Sequence, residues 1–278
     1  SCQNSNAPHQ DTPTSGTTRV AVDETLIPII TDEIDVFESI YAMAGIFGIP
    51  CPEVDAFNLL LKDSVRMIVA SRKLTADEEE YYKNKTIFPK QTKIAVDAVA
   101  FIVNRENPDT LITAGQIREI LMGKIKNWSE LNPGSSLDDI KVIFDHPRSS
   151  TAQYAVAEIC KGQALSPGLS AVSNNSAVLD FVARTPNALG IIGVNWISDH
   201  RDSSNRGFLK EIKVVALSRE ETATKDNSFQ PYQAYLATGQ YPFTRDIYAI
   251  VADPRVGLTS GFASFLASDR GQRIILKS

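Results

Sequence analysis

Three short polar stretches of this 278-residue chain carry side chains suited to holding a small oxyanion. They are "DETL" (Asp23 to Leu26), "ASRKLT" (Ala70 to Thr75) and "HPRSST" (His146 to Thr151). The third sets the hydroxyls of Ser149, Ser150 and Thr151 in a row behind Arg148, and the second joins Ser71 to Arg72. Each stretch separates a strand-like run from a helix-like run. A helix N-terminus presents N–H donors without helical partners and the positive end of the helix dipole. Hydroxyls add short neutral donors. An arginine, Arg72 or Arg148, adds a planar fork that fits two oxygens of one tetrahedral anion. Taken singly, each feature has a plainer reading. Ser and Thr ahead of a helix are commonly N-caps, an arginine at a strand end is commonly solvated, and Asp23 and Asp145 serve as caps or turn formers. The recurrence of one chemistry at three joins is what points to anion binding.

The elements that must position these joins read as alternating strands and helices. A short strand, Arg19 to Val22, leads through Asp23, Glu24 and Thr25 into a helix. Pro28 fits that helix only in its first turn, and Ile29, Ile30, Ile34, Phe37 and Ile40 follow helical spacing. "EVDAFNLLLKD" predicts a second helix and "VRMIVAS" a strand ending at Ser71. Thr75 with Glu78 three residues on predicts a capping box for the next helix. "KIAVDAVAFIVN" is a long strand. A helix follows from Thr113 to Gly123, then the strand "IKVIF", the HPRSST loop and the helix "TAQYAVAEICKG". "NSAVLDFVARTPNA" is a helix and "LGIIGVNWI" a strand. "FLKEIKVVALS" and "RDIYAIVAD" are strands, and "GLTSGFASFLASDRGQRIILKS" closes the chain as one helix. This alternation predicts an α/β fold with mostly parallel sheets, in which ligands sit at strand C-termini against helix N-termini. The long strand around Asp97, followed by fresh strand–helix units, predicts a crossing into a second lobe.

Composition is that of an ordinary globular protein, with 43% apolar and 22% charged residues. The net charge of −5 argues against a dedicated nucleic-acid binder while leaving room for a local cationic pocket. No apolar run approaches the roughly 20 residues that span a bilayer. A serine hydrolase would need G-x-S-x-G and a histidine base; the motif is absent, and His146 and His200 lie in polar stretches without an evident triad. The phosphate loop of nucleotide enzymes and clustered metal ligands are absent too, so no metal and no cofactor are expected.

Cys2, Cys51 and Cys160 make neither a disulfide framework nor a zinc spacing. Cys51 and Cys160 could pair or remain buried thiols. Cys2 precedes a Ser/Thr/Asn/Gln/Pro-rich run without apolar periodicity, so residues 1–17 read as a flexible tether. The start resembles that of a mature bacterial lipoprotein, with Cys2 carrying the lipid that anchors the domain.

Several segments together resemble the phosphate-binding (PstS-like) component of bacterial ABC transporters, in the type 2 periplasmic binding protein superfamily. They are "VAVDETLIPII", "VRMIVASRKLTADE", "DAVAFIVN", "ITAGQIREILMGKIKNWSELNP", "SSTAQY", "NALGIIGVNWI", "YPFTRDIYAIV" and "GFASFLASDRGQRIIL", and they run from about Thr18 to the end. "LMGKIKNWSELNP" is the most diagnostic. The resemblance implies two α/β lobes with a ligand cleft between them and hinge closure: residues 18–97 with 253–278 as lobe 1, and 98–252 as lobe 2. It implies an extracytoplasmic receptor, periplasmic or at the cell surface, that binds phosphate or a similar oxyanion. Delivery is to a transporter permease, without catalysis, as a monomer that meets the membrane only through its lipid. The alternatives are a surface or signalling lipoprotein that keeps the fold without transport, and a phosphoester-processing enzyme.

The family's binding positions fall on Thr25 and Leu26, on Ser71, and on Ser149, Ser150 and Thr151. Leu26 stands where the family has phenylalanine, and Ser150 where it has glycine. Two departures concern charge. Arg72 stands where the phosphate-specific members carry an aspartate that accepts the ligand's proton, and Asp145 stands where they carry an arginine. The resemblance implies an exchange, with Arg72 donating to the anion and Asp145 accepting its proton; Asp23, Glu24 and Glu53 are the next candidates for acceptor.

Overall fold

The computed structural model describes residues 10–198, 207 and 209–277, and along them strands and helices alternate. The order opens with β1 (Gly16–Asp23), a 3₁₀ turn (Glu24–Leu26), α1 (Ile27–Ile40), β2 (Ala44–Cys51), α2 (Glu53–Leu61), β3 (Met67–Ala70), α3 (Ala76–Asn84) and β4 (Lys90–Asn104). It continues through β5 (Leu111–Thr113), α4 (Ala114–Leu121), α5 (Trp128–Leu131), β6 (Lys141–Phe144) and α6 (Ser150–Tyr154), which runs into a π-helical turn (Ala155–Ile159). Next come β7 (Ser170–Ala171), α7 (Asn175–Arg184), β8 (Ala188–Gly193), α8 (Asn195–Ser198), β9 (Ile212–Val214), β10 (Ala216–Ser218) and β11 (Ser228–Phe229). α9 (Gln233–Ala237), β12 (Thr244–Val251), α10 (Leu258–Ala267) and α11 (Asp269–Lys277) complete it.

The chain divides into two compact units, Ser1–Ala95 with Asp246–Ser278, and Val96–Arg245. The return crossing therefore falls at Arg245 rather than at the expected residue 252. The cause is register: Tyr248 to Val251 pair antiparallel with Ala70 to Met67, which makes this stretch a strand of the first unit. The outward crossing lies at Ala95, two residues before the expected Asp97.

In the first unit the sheet order is β2-β1-β3-β12. β1 runs parallel to both β2 and β3, whereas β12 is antiparallel, so the mostly parallel expectation holds only away from the crossing strands. The period-two alternation of a strand sorts side chains to two cores. Val20, Val22, Met67 and Val69 cluster with Ile30, Phe37, Phe262 and Leu266 from α1 and α10. Ala21, Ile68 and Ala70 cluster with Phe57 and Leu60 from α2 and Tyr82 from α3. β2 was not foreseen, because Gly45, Gly48 and Pro50 depress strand propensity. It survives as an edge strand, where a proline's missing N–H is tolerated.

Ordered packing starts earlier than the expected tether boundary at residue 17. Gly16 already belongs to β1, and Thr12 and Ser15 form a bridge. Asp11 Oδ1 accepts the Leu258 N–H at 2.8 Å, which caps α10. A Cβ on Gly261 would meet the Pro13 carbonyl oxygen at 1.9 Å, so the helix needs glycine there for the strap to approach. Cys2, residues 1–9 and His200 lie outside the described residues. The closing helix, expected as one, breaks at Ser268, which is extended (φ −73°, ψ 163°) and whose hydroxyl accepts the Gly271 N–H.

In the second unit β4 pairs antiparallel with β8 and β9, while β6 runs parallel to β8 and β7. A separate three-stranded sheet has the order β11-β10-β5. One core gathers Phe101, Trp128, Phe144, Ile191 and Tyr241. The other sets Ala100, Ile102 and Ile143 with Val178 and Val182 of α7. A Cβ on Gly190 would lie 2.6 Å from Val182, so α7 sits as close to β8 as glycine permits. These packed layers fix the strand ends where the three polar joins lie.

Candidate functional site

The first unit brings two of the joins to strand C-termini. Asp23 ends β1, and its Oδ1 accepts both the N–H and the hydroxyl of Thr25, each at 3.0 Å. Both residues are buried, and Asp23 Oδ2 has no hydrogen-bond partner. Leu26 sends its side chain into the core beneath α1, so only its backbone is available to a ligand. Ser71, just beyond β3, donates its N–H (2.5 Å) and hydroxyl (2.8 Å) to Glu53 Oε1 at the start of α2. Glu53 is buried, and the dipole of α2 favours its negative charge. Cys51 follows the same edge; burial first, then the charges of Asp23 and Asp55, push its thiol up to about 12. Cys51 and Cys160 are both free thiols.

Arg72 does not take the role expected of it. Its guanidinium grips the Glu78 carboxylate at 2.8 and 3.0 Å and lies 3.5 Å over the Phe57 ring. Glu78 is the capping-box residue of α3. Burial would raise its carboxyl, but hydrogen bonds from Arg72 and from the Thr75 backbone outweigh that and hold it below the usual range. The fork that the sequence offered to an anion is closed by a protein carboxylate.

The second unit carries the denser set. Ser149 caps α6, with its Oγ accepting the Ala152 N–H at 3.2 Å. Its hydroxyl lies 2.9 Å from that of Thr151, and Thr151 donates to Asp145 Oδ1 through a short hydrogen bond. Thr151 has one proton to give, so Ser149 must be the donor between the two hydroxyls. The relay runs Ser149 to Thr151 to Asp145, and both hydroxyl protons stay within the protein. Asn175 Nδ2 donates to Asp145 Oδ2 at 3.1 Å, and Asn175 Oδ1 accepts the Gly193 N–H at 2.9 Å. Both Asp145 oxygens thus already receive protein donors, which runs against its expected role as the ligand's acceptor. Arg148 is exposed, and its N–H closes a turn onto His146 Nδ1 at 3.0 Å.

The arginine of this set is Arg245, which the sequence reading passed over. It is 6% exposed at the unit boundary. Nε and Nη2 grip Asp97 at 2.8 and 3.2 Å, and Nη1 donates to Ser150 Oγ at 2.7 Å. Asn195 adds a further donor to Asp97 at 3.3 Å. Half of a signal was present: Asp97 interrupts the apolar run of β4, whereas Arg245 stands at the head of β12 between Thr244 and Asp246 and looks like a polar strand end. What the unit assembles is a helix N-terminus with three hydroxyls, a fixed guanidinium and an amide relay. The Ser149 and Thr151 protons are spent on the relay to Asp145, so what suits an oxyanion here is the helix N-terminus and the Ser150 hydroxyl that the guanidinium fixes.

A family model of the PBP superfamily domain matches residues 7–270. The chain belongs to the PBP superfamily. Within it, the phosphate-binding protein PstS of Staphylococcus saprophyticus is 26% identical over 212 residues, 76% of this chain and 62% of that protein. The chain spans less than two thirds of the length of the first curated relatives it matches. Among solved structures, a Clostridium perfringens protein with bound phosphate aligns at TM-score 0.76 and 20% identity, covering 94% of this chain and 97% of the other. The OxyR2 regulatory domain of Vibrio vulnificus, in a mutant form, aligns at TM-score 0.57 and 12% identity, covering 95% and 99%. These structural likenesses establish the two-unit α/β fold and, by their variety, leave the ligand to the residues at the strand ends.

Proposed function

We propose that this chain is the substrate-binding component of an ABC transporter, an extracytoplasmic receptor for inorganic phosphate. The observation that carries the reading is the buried polar set at the head of α6, where Arg245 fixes Ser150 and the relay through Ser149, Thr151, Asp145 and Asn175 fixes the loop before it. Within the first unit, Thr25, the Leu26 backbone and Ser71 lie at strand C-termini where an anion could also be met. The PstS name of the curated relatives supports phosphate over other anions. No helix among the described residues is long and apolar enough to cross a membrane. A lipid on Cys2 would hold the receptor, as a monomer, near its permease.

The reading is one of binding without turnover. His146 accepts a backbone N–H from Arg148 rather than a hydroxyl, and the hydroxyl protons run toward a carboxylate that is already hydrogen-bonded. Titration calorimetry of the purified protein is expected to give saturable binding of one phosphate per chain, with a phosphomonoester left intact on prolonged incubation. Steady release of phosphate from the ester would replace the receptor with an enzyme. Silence toward every oxyanion would leave a signalling or surface protein.

A further inference from the structure

Phe88 and Val256 are the two most exposed large hydrophobic side chains among the described residues, at 76% and 80%. Both line one groove of the first unit, about 220 Å³ in volume, together with Lys90 and Arg255. One exposed apolar side chain needs no explanation, but two at a single groove make a patch. A second groove, of about 500 Å³, shares Val256, Ser260 and Ser264 with the first and adds Tyr41, Phe265 and Arg270. Ser260 and Ser264 stand one turn apart on α10, so the two grooves flank the same face of that helix.

The exposed charge around them has one sign. Lys90, Arg255 and Arg270 are all exposed. The carboxylate that lines the first groove, Asp253, has a side chain only 3% exposed and is held by Arg66 and Arg255. Both grooves lie at the pole of the first unit opposite the polar joins. Val251, which lines the first, pairs with Met67 at the start of β3, whereas Ser71 follows the end of that strand. The strap reaches the domain at this same pole: Asp11 caps α10, and Pro13 and Thr14 line the larger groove. Cys2 stands eight residues before Gln10, a reach of at most about 29 Å.

We propose that this face of the first unit is a bilayer contact, in which Phe88 and Val256 enter the boundary between headgroups and acyl chains while Lys90, Arg255 and Arg270 meet anionic headgroups. The nearness of the tether rests on the lipid proposed above for Cys2; the face itself does not. A bilayer fits these residues better than a second copy of the chain does. A symmetric pair would bring the same cations face to face, and two projecting side chains are a small core for a protein interface. A membrane surface asks only for shallow insertion beside basic groups. So seated, the first unit turns the strand ends at Asp23 and Ser71 away from the membrane, toward arriving solute.

The test is cosedimentation of the full chain carrying Cys2→Ser, so that no lipid contributes, with sucrose-loaded vesicles of phosphatidylglycerol and phosphatidylcholine in equal parts. Binding is expected to rise with lipid concentration and to weaken in high salt or on phosphatidylcholine alone. Phe88→Ser with Val256→Ser should lower the partition coefficient by about tenfold or more. Lys90→Gln with Arg270→Gln should lower it by about tenfold on the anionic vesicles and little on phosphatidylcholine. All four positions are exposed and far from the joins, so thermal unfolding and phosphate affinity should stay at wild-type values. Phe88→Trp should be quenched by vesicles with brominated acyl chains. No sedimentation, or equal sedimentation of the parent and both double variants, overturns the bilayer contact and leaves the lipid on Cys2 and phosphate binding as separate readings. A dimer in sedimentation equilibrium that the Phe88 and Val256 changes dissolve overturns it in favour of a second copy.

Discussion

Arg245 and Asp97 stand 148 residues apart in the chain and meet through two hydrogen bonds, Nε to Oδ1 at 2.8 Å and Nη2 to Oδ2 at 3.2 Å. Their side chains are 3% and 7% exposed. Such a pair adds little when whole but is costly to break, because the survivor keeps a buried charge. The same guanidinium holds Ser150 at the head of α6. On the proposed function, stability and ligand recognition meet in one side chain.

Arg245→Ala is expected to destabilise the protein by about 3–5 kcal/mol, measured by urea unfolding. Arg245→Lys keeps the charge and loses the fork, so it should fall between that variant and the wild type. An unchanged unfolding midpoint in the alanine variant would mean that Asp97 is neutralised by another group.

Thr151→Val keeps the shape of the threonine and removes its hydroxyl. Asp145 then loses a donor and Ser149 its acceptor, a loss on the order of 1–3 kcal/mol for the buried carboxylate. Phosphate affinity should drop by about tenfold as the relay relaxes. Ser149→Ala, which removes the α6 cap, should cost less affinity than Thr151→Val. Calorimetry that ranks the two variants the other way would assign the direct ligand contact to Ser149.

Arg72→Ala is expected to leave phosphate affinity within about twofold of wild type, because its fork serves Glu78. Its side chain is 39% exposed, so screening limits the stability loss to about 1 kcal/mol or less. A large affinity loss without a stability loss would return Arg72 to the binding site.

Glu33 gives a pH signature. It is fully buried on α1, and neither carboxyl oxygen has a hydrogen-bond partner. Burial first, and the charge of Asp32 second, raise its pKa from 4.5 to about 8. Between those values the folded protein holds a proton that the unfolded chain has released. The stabilisation is full below pH 4.5 and is lost as the pH rises through about 8, a contribution of roughly a few kcal/mol. Glu33→Gln should flatten that decline in urea unfolding measured from pH 5 to 8. An equal slope in both proteins would place the titrating group elsewhere.

Much of this architecture was legible because its signals are local. Thr75 with Glu78 announces the capping box of α3, and Pro28 marks the first turn of α1. What escaped depends on how the folded chain pairs its side chains. Arg72 looks like a free cation until Glu78 and Phe57 are folded around it. Arg245 looks like a solvated residue at the polar head of β12 until Asp97 is brought to it. β2 was hidden because its glycines and proline deny it intrinsic strand preference; it exists through eight residues of parallel register with β1. The hydroxyls of Ser149 and Thr151 were rightly singled out as a cluster, yet the direction in which their protons run follows from Asp145, six residues before Thr151, and no spacing rule encodes it.

The discontinuity of the first unit has a consequence for the order of assembly. Ile247, Ala249, Val251, Leu258, Phe262, Leu266 and Ile275 all belong to the core that also holds Val20, Val22 and Phe37. A chain that emerges from its N-terminus makes β1, α1 and β3 early, but the strand and helices that cover them are made last. The second unit, Val96–Arg245, has its whole sequence available before then. Domains complete themselves as their residues become available. The unit that begins the chain is therefore the last to close, and until it does, the open edge of β3 and the apolar face of α1 are what a chaperone would find.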